Sequence, residues 1–240
     1  MHSPFVFEWY QQVLRANLSE ETAAIEQLRK ELIKDQREMQ IQDFGAGSGD
    51  KGPDTKARAL GDLVRKASRR RKSGDFLFRL CQFYQPSRCL EFGTHIGISS
   101  LYQMHALEGG EFYTMEGDPG LAEIAKTNFE RFGKKANQYI GEFDRLLKTE
   151  ISLSELKPDY VFIDGNHTHD ATLRYFHLLL PHMPDESMII FDDIYWSEGM
   201  KKAWKEIIAH PEVSVSLDLF EFGLCFIRRK QAKEHFRFRL

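Results

Sequence analysis

Residues 89–99 read Cys89-Leu90-Glu91-Phe92-Gly93-Thr94-His95-Ile96-Gly97-Ile98-Ser99. A short apolar run ends in an acid, two glycines follow four residues apart, and a helical pattern starts near Ser99. That order describes a buried strand turning directly into a helix, because glycine lets a backbone make a tight turn and approach a neighbour closely. Upstream, Phe76, Leu77, Leu80, Cys81 and Tyr84 share one helix face, and Pro86 stops that helix. Downstream the alternation repeats. Phe112 to Glu116, Gln138 to Gly141, Tyr160 to Ile163 and Met188 to Phe191 read as strands. Helices marked by Leu121, Phe129, Leu173, Phe176, Met200 and Trp204 lie between or after them. Continuous apolar strands separated by helices predict an α/β fold, a parallel sheet covered on both faces. Val213 to Phe220 and Leu224 to Arg228, joined by Glu221-Phe222-Gly223, break the pattern and predict a closing antiparallel hairpin.

Residues 1–72 differ. Phe5, Trp9, Val13 and Ala16 recur at helical spacing. Ser19 to Glu38 is polar, with a thin stripe of Ala24, Leu28 and Leu32, and Ala57 to Lys72 is again helix-like. Between them, Asp43 to Gly49 is a glycine-rich loop without the strand–helix context of a cofactor turn. The expected organisation is a helical N-terminal extension or lid over 1–72 and a catalytic-type domain over 73–240. With 33 basic and 36 acidic side chains, a net charge of −3 and 42% hydrophobic residues, the 240-residue chain is neither disordered nor a generic polyanion binder. Cys81, Cys89 and Cys225 form no CxxC pair, which fits a reduced compartment. No apolar run is long enough to span a bilayer and no leader pattern opens the chain, so a cytoplasmic protein is expected.

In an open α/β sheet, ligands bind beyond the carboxyl ends of the strands. Five strand ends here carry acids: Glu91, Glu116 and Asp118, Glu142 and Asp144, Asp164, and Asp192-Asp193. Glu116 stands where an acid can accept the ribose hydroxyls of a nucleoside. Glu91, at the mouth of the first turn, would repel a pyrophosphate and suit a cofactor bearing ammonium or sulfonium charge. S-adenosylmethionine has both and no phosphate.

With these residues in place, Glu91-x-Gly93-x-x-x-Gly97-x-Ser99, Glu116, Asp164, Asp192-Asp193 and the closing hairpin resemble a class I S-adenosylmethionine-dependent methyltransferase, of the catechol O-methyltransferase-like group. The resemblance implies a Rossmann-like, doubly wound, seven-stranded sheet in the order 3-2-1-4-5-7-6, with strand 7 antiparallel. It implies Gly93 and Gly97 along the methionine portion of the cofactor, flanked by Thr94, with Ser99 near its carboxylate. Glu116 and Gly117 would lie at the ribose, Glu142 and Phe143 beside adenine, and Ala67 and Ser68 against the cofactor from the extension. Asp164, Asp192 and Asp193 fall on the ligands of Mg²⁺ or another divalent cation. His167 falls where the group commonly has a lysine acting on the substrate hydroxyl. His167 and Asp164 are therefore the candidate catalytic residues, and histidine is the side chain that changes charge nearest neutrality.

The expected function is methyl transfer to a hydroxyl of a small molecule, metal-assisted or not. Alternatives are an S-adenosylmethionine-binding RNA methyltransferase, a non-catalytic sensor, and a nicotinamide-dependent dehydrogenase. The last is disfavoured by Glu91 and by the missing third glycine. Arg65, Lys66, Arg69, Arg70, Arg71 and Lys72 are either a solvated helix face or a contact for an anionic acceptor or nucleic acid. Trp196 is equally a wall of the acceptor pocket or a core aromatic. The Phe5–Ala16 helix could pack on a second copy and give a homo-oligomer.

Overall fold

The computed structural model describes residues 3–43, 54–68 and 70–239. Along the chain these form α1 (Pro4–Trp9), extended by a π-helical turn over Tyr10–Leu14, α2 (Ala23–Leu32), β1 (Glu38–Asp43), β2 (Asp54–Ala59), α3 (Leu60–Ala67) and α4 (Arg71–Tyr84). Then follow β3 (Arg88–Phe92), α5 (Ile98–Ala106), β4 (Glu111–Glu116), α6 (Pro119–Arg131), β5 (Asn137–Ile140), α7 (Phe143–Thr149) and α8 (Leu153–Leu156). The chain ends with β6 (Tyr160–Ile163), α9 (His169–Leu179), β7 (Ser187–Asp192), α10 (Glu198–Ala209), β8 (Val215–Asp218), β9 (Phe222–Ile227) and β10 (Glu234–Arg237).

The large sheet runs β10-β8-β9-β7-β6-β3-β4-β5. Strands β5, β4, β3, β6 and β7 are mutually parallel, and β9 lies antiparallel between β7 and β8. The expected seven-strand order is present, with one addition. An eighth strand, β10, pairs parallel with β8 at the edge. In its sequence, Glu234-His235-Phe236-Arg237, Glu234 and Phe236 are half-buried while His235 and Arg237 are exposed, because an edge strand buries only one face. The aromatic side continues into Phe238, which packs on Trp9 and Tyr10 with ring centroids 6.2 and 5.2 Å apart.

The central strands β6 and β7 are buried along their whole length because each serves two cores. Tyr160 and Phe162 of β6 face one, and Val161 and Ile163 face the other. Each such fully buried side chain contributes about 1.5–3 kcal/mol relative to exposure. The first core also takes Val6, Trp9, Val13, Ile25, Leu28 and Leu60, so the extension is packed into it. The apolar face of α1 is thereby used within the chain, on α4, where Trp9 meets Phe76 edge-on at 6.3 Å.

The N-terminal segment is fastened as well as packed. Asp75 of α4 is fully buried and accepts from the Ser19 backbone N–H (3.0 Å) and the Thr22 hydroxyl (2.6 Å), and pairs with Arg79. Arg79 in turn donates to the Val13 carbonyl at 2.7 Å. A buried ion pair needs its remaining donors and acceptors satisfied, and here backbone from the extension satisfies them.

The extension is not purely helical. Residues 38–59 include an antiparallel pair, with Glu38 opposite Ala59 and Ile41 opposite Lys56. The predicted Ala57–Lys72 helix is instead the end of β2, α3, and a break before α4. The break occurs because Ser68 is extended, at φ −78° and ψ 136°. Residues 44–49 of the predicted glycine-rich loop, and Arg69 of the basic run, lie outside the described residues. Cys81, Cys89 and Cys225 are all free and buried, consistent with the absence of a disulfide framework. Among the described residues no helix is long and apolar enough to cross a membrane.

Candidate functional site

Parallel pairing puts the carboxyl ends of β3 to β7 on one side of the sheet, and the turns that leave them build the site. Four of these turns carry a residue at positive φ soon after the strand: Gly93 (94°) and His95 (49°) after β3, Gly141 (143°) after β5, Asn166 (49°) after β6, and Asp193 (52°) after β7. Non-glycine residues in this region are strained, and such strain gathers at ligand sites.

The two glycines of the β3–α5 turn have separate causes. A Cβ on Gly93 would sit 2.0 Å from the Asp164 carbonyl oxygen, so this glycine lets the turns after β3 and β6 cross. A Cβ on Gly97, the residue preceding α5, would strike the Phe129 ring at 2.5 Å. Glycine was expected for close approach of a ligand. The structure shows close approach of the protein to itself, which shapes the turn beneath the ligand site.

A small cleft opens above this turn, lined by Ala67, Ser68, Gly93, Thr94, Ser99 and Asp164, with His95, Ile96 and Ile98. The first six are predicted site residues, drawn together from α3, the β3–α5 turn and the end of β6. The others were not singled out. His95 is held in place by its backbone N–H, which donates to Glu116 at 2.6 Å. Burial pushes its imidazole down to about 4, so it is neutral near pH 7.

Glu116, at the end of β4, also accepts from the Asp118 N–H at 2.9 Å, and Gly117 lies between the two. Burial raises the Glu116 carboxyl above its ordinary value, and these backbone donors partly offset that. Asp118 caps α6 through Leu121 N–H (2.8 Å) and accepts from Gln42 N–H of β1 (2.7 Å), which brings the β1–β2 pair to the end of β4 beside Glu116. That contact joins residues 76 apart and leaves no local signal in the sequence.

Glu142 precedes α7 and Phe143 opens it. The Phe143 ring meets Phe92 edge-on at 5.5 Å, and a Cβ on Gly165 would reach it at 2.8 Å, so Phe143 packs over the ends of β3 and β6.

Glu91 is placed differently from expectation. It does not line the cleft but is fully buried behind it. Its carboxylate accepts from Thr114 (2.7 Å), Gln103 (2.9 Å), Ser99 (3.3 Å) and Ser100. Burial pushes its carboxyl up to about 7 despite those donors, and the Asp164 charge acts in the same direction.

On the other side of the cleft, ligand atoms of Asp164, His167 and Asp192 lie within 4.8 Å of one another. His167 Nε2 is 3.5 Å from Asp164 Oδ1. The expected set was Asp164, Asp192 and Asp193. Asp193 is outside this group: the left-handed turn that it begins hydrogen-bonds its N–H to the Glu221 carbonyl (2.9 Å) and its carbonyl to Trp196 N–H (2.8 Å). His169 is not in the group either, being engaged by Asp170 (2.7 Å) and Glu206 (3.1 Å) at the start of α9. Trp196 is 72% exposed, so it is not a core aromatic. Phe220 is also exposed, at 69%, and stacks on the neighbouring Tyr195 at 5.1 Å. Of the basic run, Arg65 pairs with Asp62, and Arg71 donates to the Ser19 carbonyl at 3.2 Å.

This sheet order, with its ligand-side turns and its antiparallel β9, is the class I methyltransferase fold. Comparison with known proteins agrees. A family described as a methyltransferase domain matches residues 90–194. A catechol O-methyltransferase of Niastella koreensis is 29% identical over 124 residues, 50% of this chain and 55% of that one. An uncharacterized protein of Sinorhizobium fredii is 24% identical over 153 residues, 58% of this chain and 17% of that one. The chain thus spans about half or less of the length of these curated relatives. Among solved structures, the O-methyltransferase TomG of Streptomyces achromogenes, in complex with SAM, superposes with a TM-score of 0.62 at 19% identity, covering 93% of this chain and 96% of that one. The O-methyltransferase of Bacillus cereus, in complex with SAH, does so at 0.60 and 19%, covering 93% and 97%. At such identities the likeness is one of fold. The resemblance to the catechol O-methyltransferase-like group read from residues 91–193 holds.

Proposed function

We propose that this protein is an S-adenosylmethionine-dependent O-methyltransferase acting on a hydroxyl of a small molecule. The observation that carries the reading is a shared residue. Asp164 lines the cleft beside Gly93, Thr94 and Ser99, and also belongs to the Asp164–His167–Asp192 group. A donor seated in the cleft would present its methyl toward that group.

In this reading Gly93, Thr94, Gly97 and Ser99 hold the methionine portion, Glu116 and Gly117 the ribose, and Glu142 and Phe143 the adenine, with Ala67 and Ser68 closing from the extension. The acceptor oxygen attacks the methyl carbon in line, the carbon–sulfur bond breaks, and the sulfonium leaves as a neutral thioether. The hydroxyl proton passes to His167. Alignment supplies most of the acceleration in such a displacement.

Asp164, Asp192 and His167 also fit a divalent cation, since two carboxylates and an imidazole converge. When bound, the cation would lower the pKa of a coordinated hydroxyl. The imidazole extends the choice beyond Mg²⁺ to ions such as Mn²⁺. If His167 ligates the ion, water takes the proton in its place. Titration calorimetry with Mg²⁺ or Mn²⁺ beside bound S-adenosylhomocysteine tests this. Absence of heat, with activity unaffected by chelator, removes the metal from the proposal.

A small acceptor is favoured over nucleic acid because Arg65 and Arg71 of the basic run are engaged within the chain. Thermal shift with S-adenosylhomocysteine, NAD and a short RNA tests the assignment. At a hundredfold excess over Kd the homocysteine product stabilises by about 2.7 kcal/mol, roughly 5–11 °C for a chain of this size. A shift with NAD alone overturns it. Transfer of labelled methyl from S-adenosylmethionine to a panel of hydroxylated small molecules would then find the acceptor.

A further inference from the structure

We infer that Glu91 is a positioning residue that joins the two walls of the cofactor cleft, acting through α5 and β4 rather than by touching the cofactor. The inference rests on the methyltransferase reading above and concerns how its cofactor site is held.

Thr94 and Ser99 line the cleft from opposite ends of the β3–α5 turn. Both lead to Glu91. Ser99 donates to Glu91 Oε1, and Thr94 shares a hydrogen bond with Thr114, which donates to Oε2. Ser100 and Gln103 add two further donors from α5. One buried carboxylate therefore fixes the first turn of α5 against β4, and with it both residues facing the ligand. A carboxylate is needed because it is acceptor-only and serves all four donors at once. Glutamine in its place turns one end into a donor facing hydroxyls.

Few charges face Glu91. The donors from α5 and β4 are uncharged, and the ionised Asp164 lies beyond the end of β6. Cys81 of α4 and Tyr160 of β6 are on the same side, and burial keeps both protonated. The ammonium group, which S-adenosylhomocysteine shares with S-adenosylmethionine, favours the ionised carboxylate. Affinity for the cofactor should therefore rise with pH through about 7, where Glu91 titrates.

The test measures S-adenosylhomocysteine affinity by calorimetry from pH 5.5 to 8.5 in wild type, Glu91→Gln, Ser100→Ala and the double variant. Ser100 is fully buried and outside the cleft, so it cannot reach a ligand. The expected result is a 5- to 50-fold loss of affinity in Glu91→Gln with the pH dependence near 7 flattened, a smaller loss in Ser100→Ala, and a double variant no worse than Glu91→Gln. Unchanged affinity in Ser100→Ala, with Glu91→Gln impaired, would mean direct contact and overturns the inference. So would Glu91→Gln binding as wild type does. If Glu91→Gln does not fold, Ser100→Ala decides alone. A wild-type protein that does not bind S-adenosylhomocysteine refutes the methyltransferase reading itself, a result distinct from either of these.

Discussion

Replacing Gly93 by alanine separates two costs that glycine avoids in this turn. The first is conformational. At φ 94° an L side chain is strained, by about 1–2 kcal/mol. The second is contact. The new Cβ would stand 2.0 Å from the Asp164 carbonyl oxygen, where real Cβ atoms essentially never come nearer than 3.0 Å. The turns after β3 and β6 must therefore part by about 1 Å, in an interior that yields little. The Asp164 N–H bond to the Phe92 carbonyl, 2.9 Å long, bridges that gap and would be lost or stretched, at about 0.5–1.5 kcal/mol. Together these give a loss of about 1.5–3.5 kcal/mol, or roughly 3–14 °C in Tm for a chain of this length.

Gly109 provides the control. Its φ is 88°, but an added Cβ meets nothing within 4 Å. Gly109→Ala carries only the conformational cost, about 1–2 kcal/mol. Urea unfolding of both variants followed by fluorescence, with calorimetric S-adenosylhomocysteine binding, measures the difference. Gly93→Ala should be the less stable by about 0.5–1.5 kcal/mol and should lose cofactor affinity, while Gly109→Ala binds as wild type does. Equal stability of the two variants would refute a tight crossing at Gly93.

Three further outcomes are expected. Asp75→Ala leaves Arg79 buried without its carboxylate partner and should cost about 3–5 kcal/mol in urea unfolding; a loss under 1 kcal/mol would show that the clamp on residues 13–22 is dispensable. His167→Ala should lower methyl transfer by about 10²–10⁴-fold if the imidazole takes the proton, with S-adenosylhomocysteine affinity changed less than twofold, and full turnover would exclude that role. The pH dependence of stability should carry a signature of Glu91. Folding raises its carboxyl from 4.5 to about 7, so the folded chain holds the proton more tightly. Its contribution is then complete below 4.5 and is lost as pH rises through about 7. Glu91→Gln should flatten unfolding free energy over that interval, and an unchanged slope would place the titration elsewhere.

Much of this protein is local in origin and therefore legible in its sequence. An apolar run followed by an acid and a glycine turn needs only periodicity and backbone sterics to be read. The order of strands and helices, the closing hairpin, and the position of Gly93, Thr94, Ser99, Glu116 and Asp164 at strand ends all follow from such patterns. The tertiary structure decided what depends on side-chain direction and long-range pairing. Glu91 and Asp164 both end strands, yet one is buried under α5 and the other faces the cleft. Asp192 and Asp193 are adjacent, yet a left-handed turn at Asp193 separates them and leaves His167 as the third member of the group. Strand β10 was hidden because an edge strand buries only one face. The β1–β2 hairpin was hidden because it is polar and its site contact is to Asp118, 76 residues away along the chain. Sequence patterns mark where a chain turns and which faces are apolar. Which carboxylate faces a ligand and which faces a helix is set by register, and register exists only once the sheet has assembled.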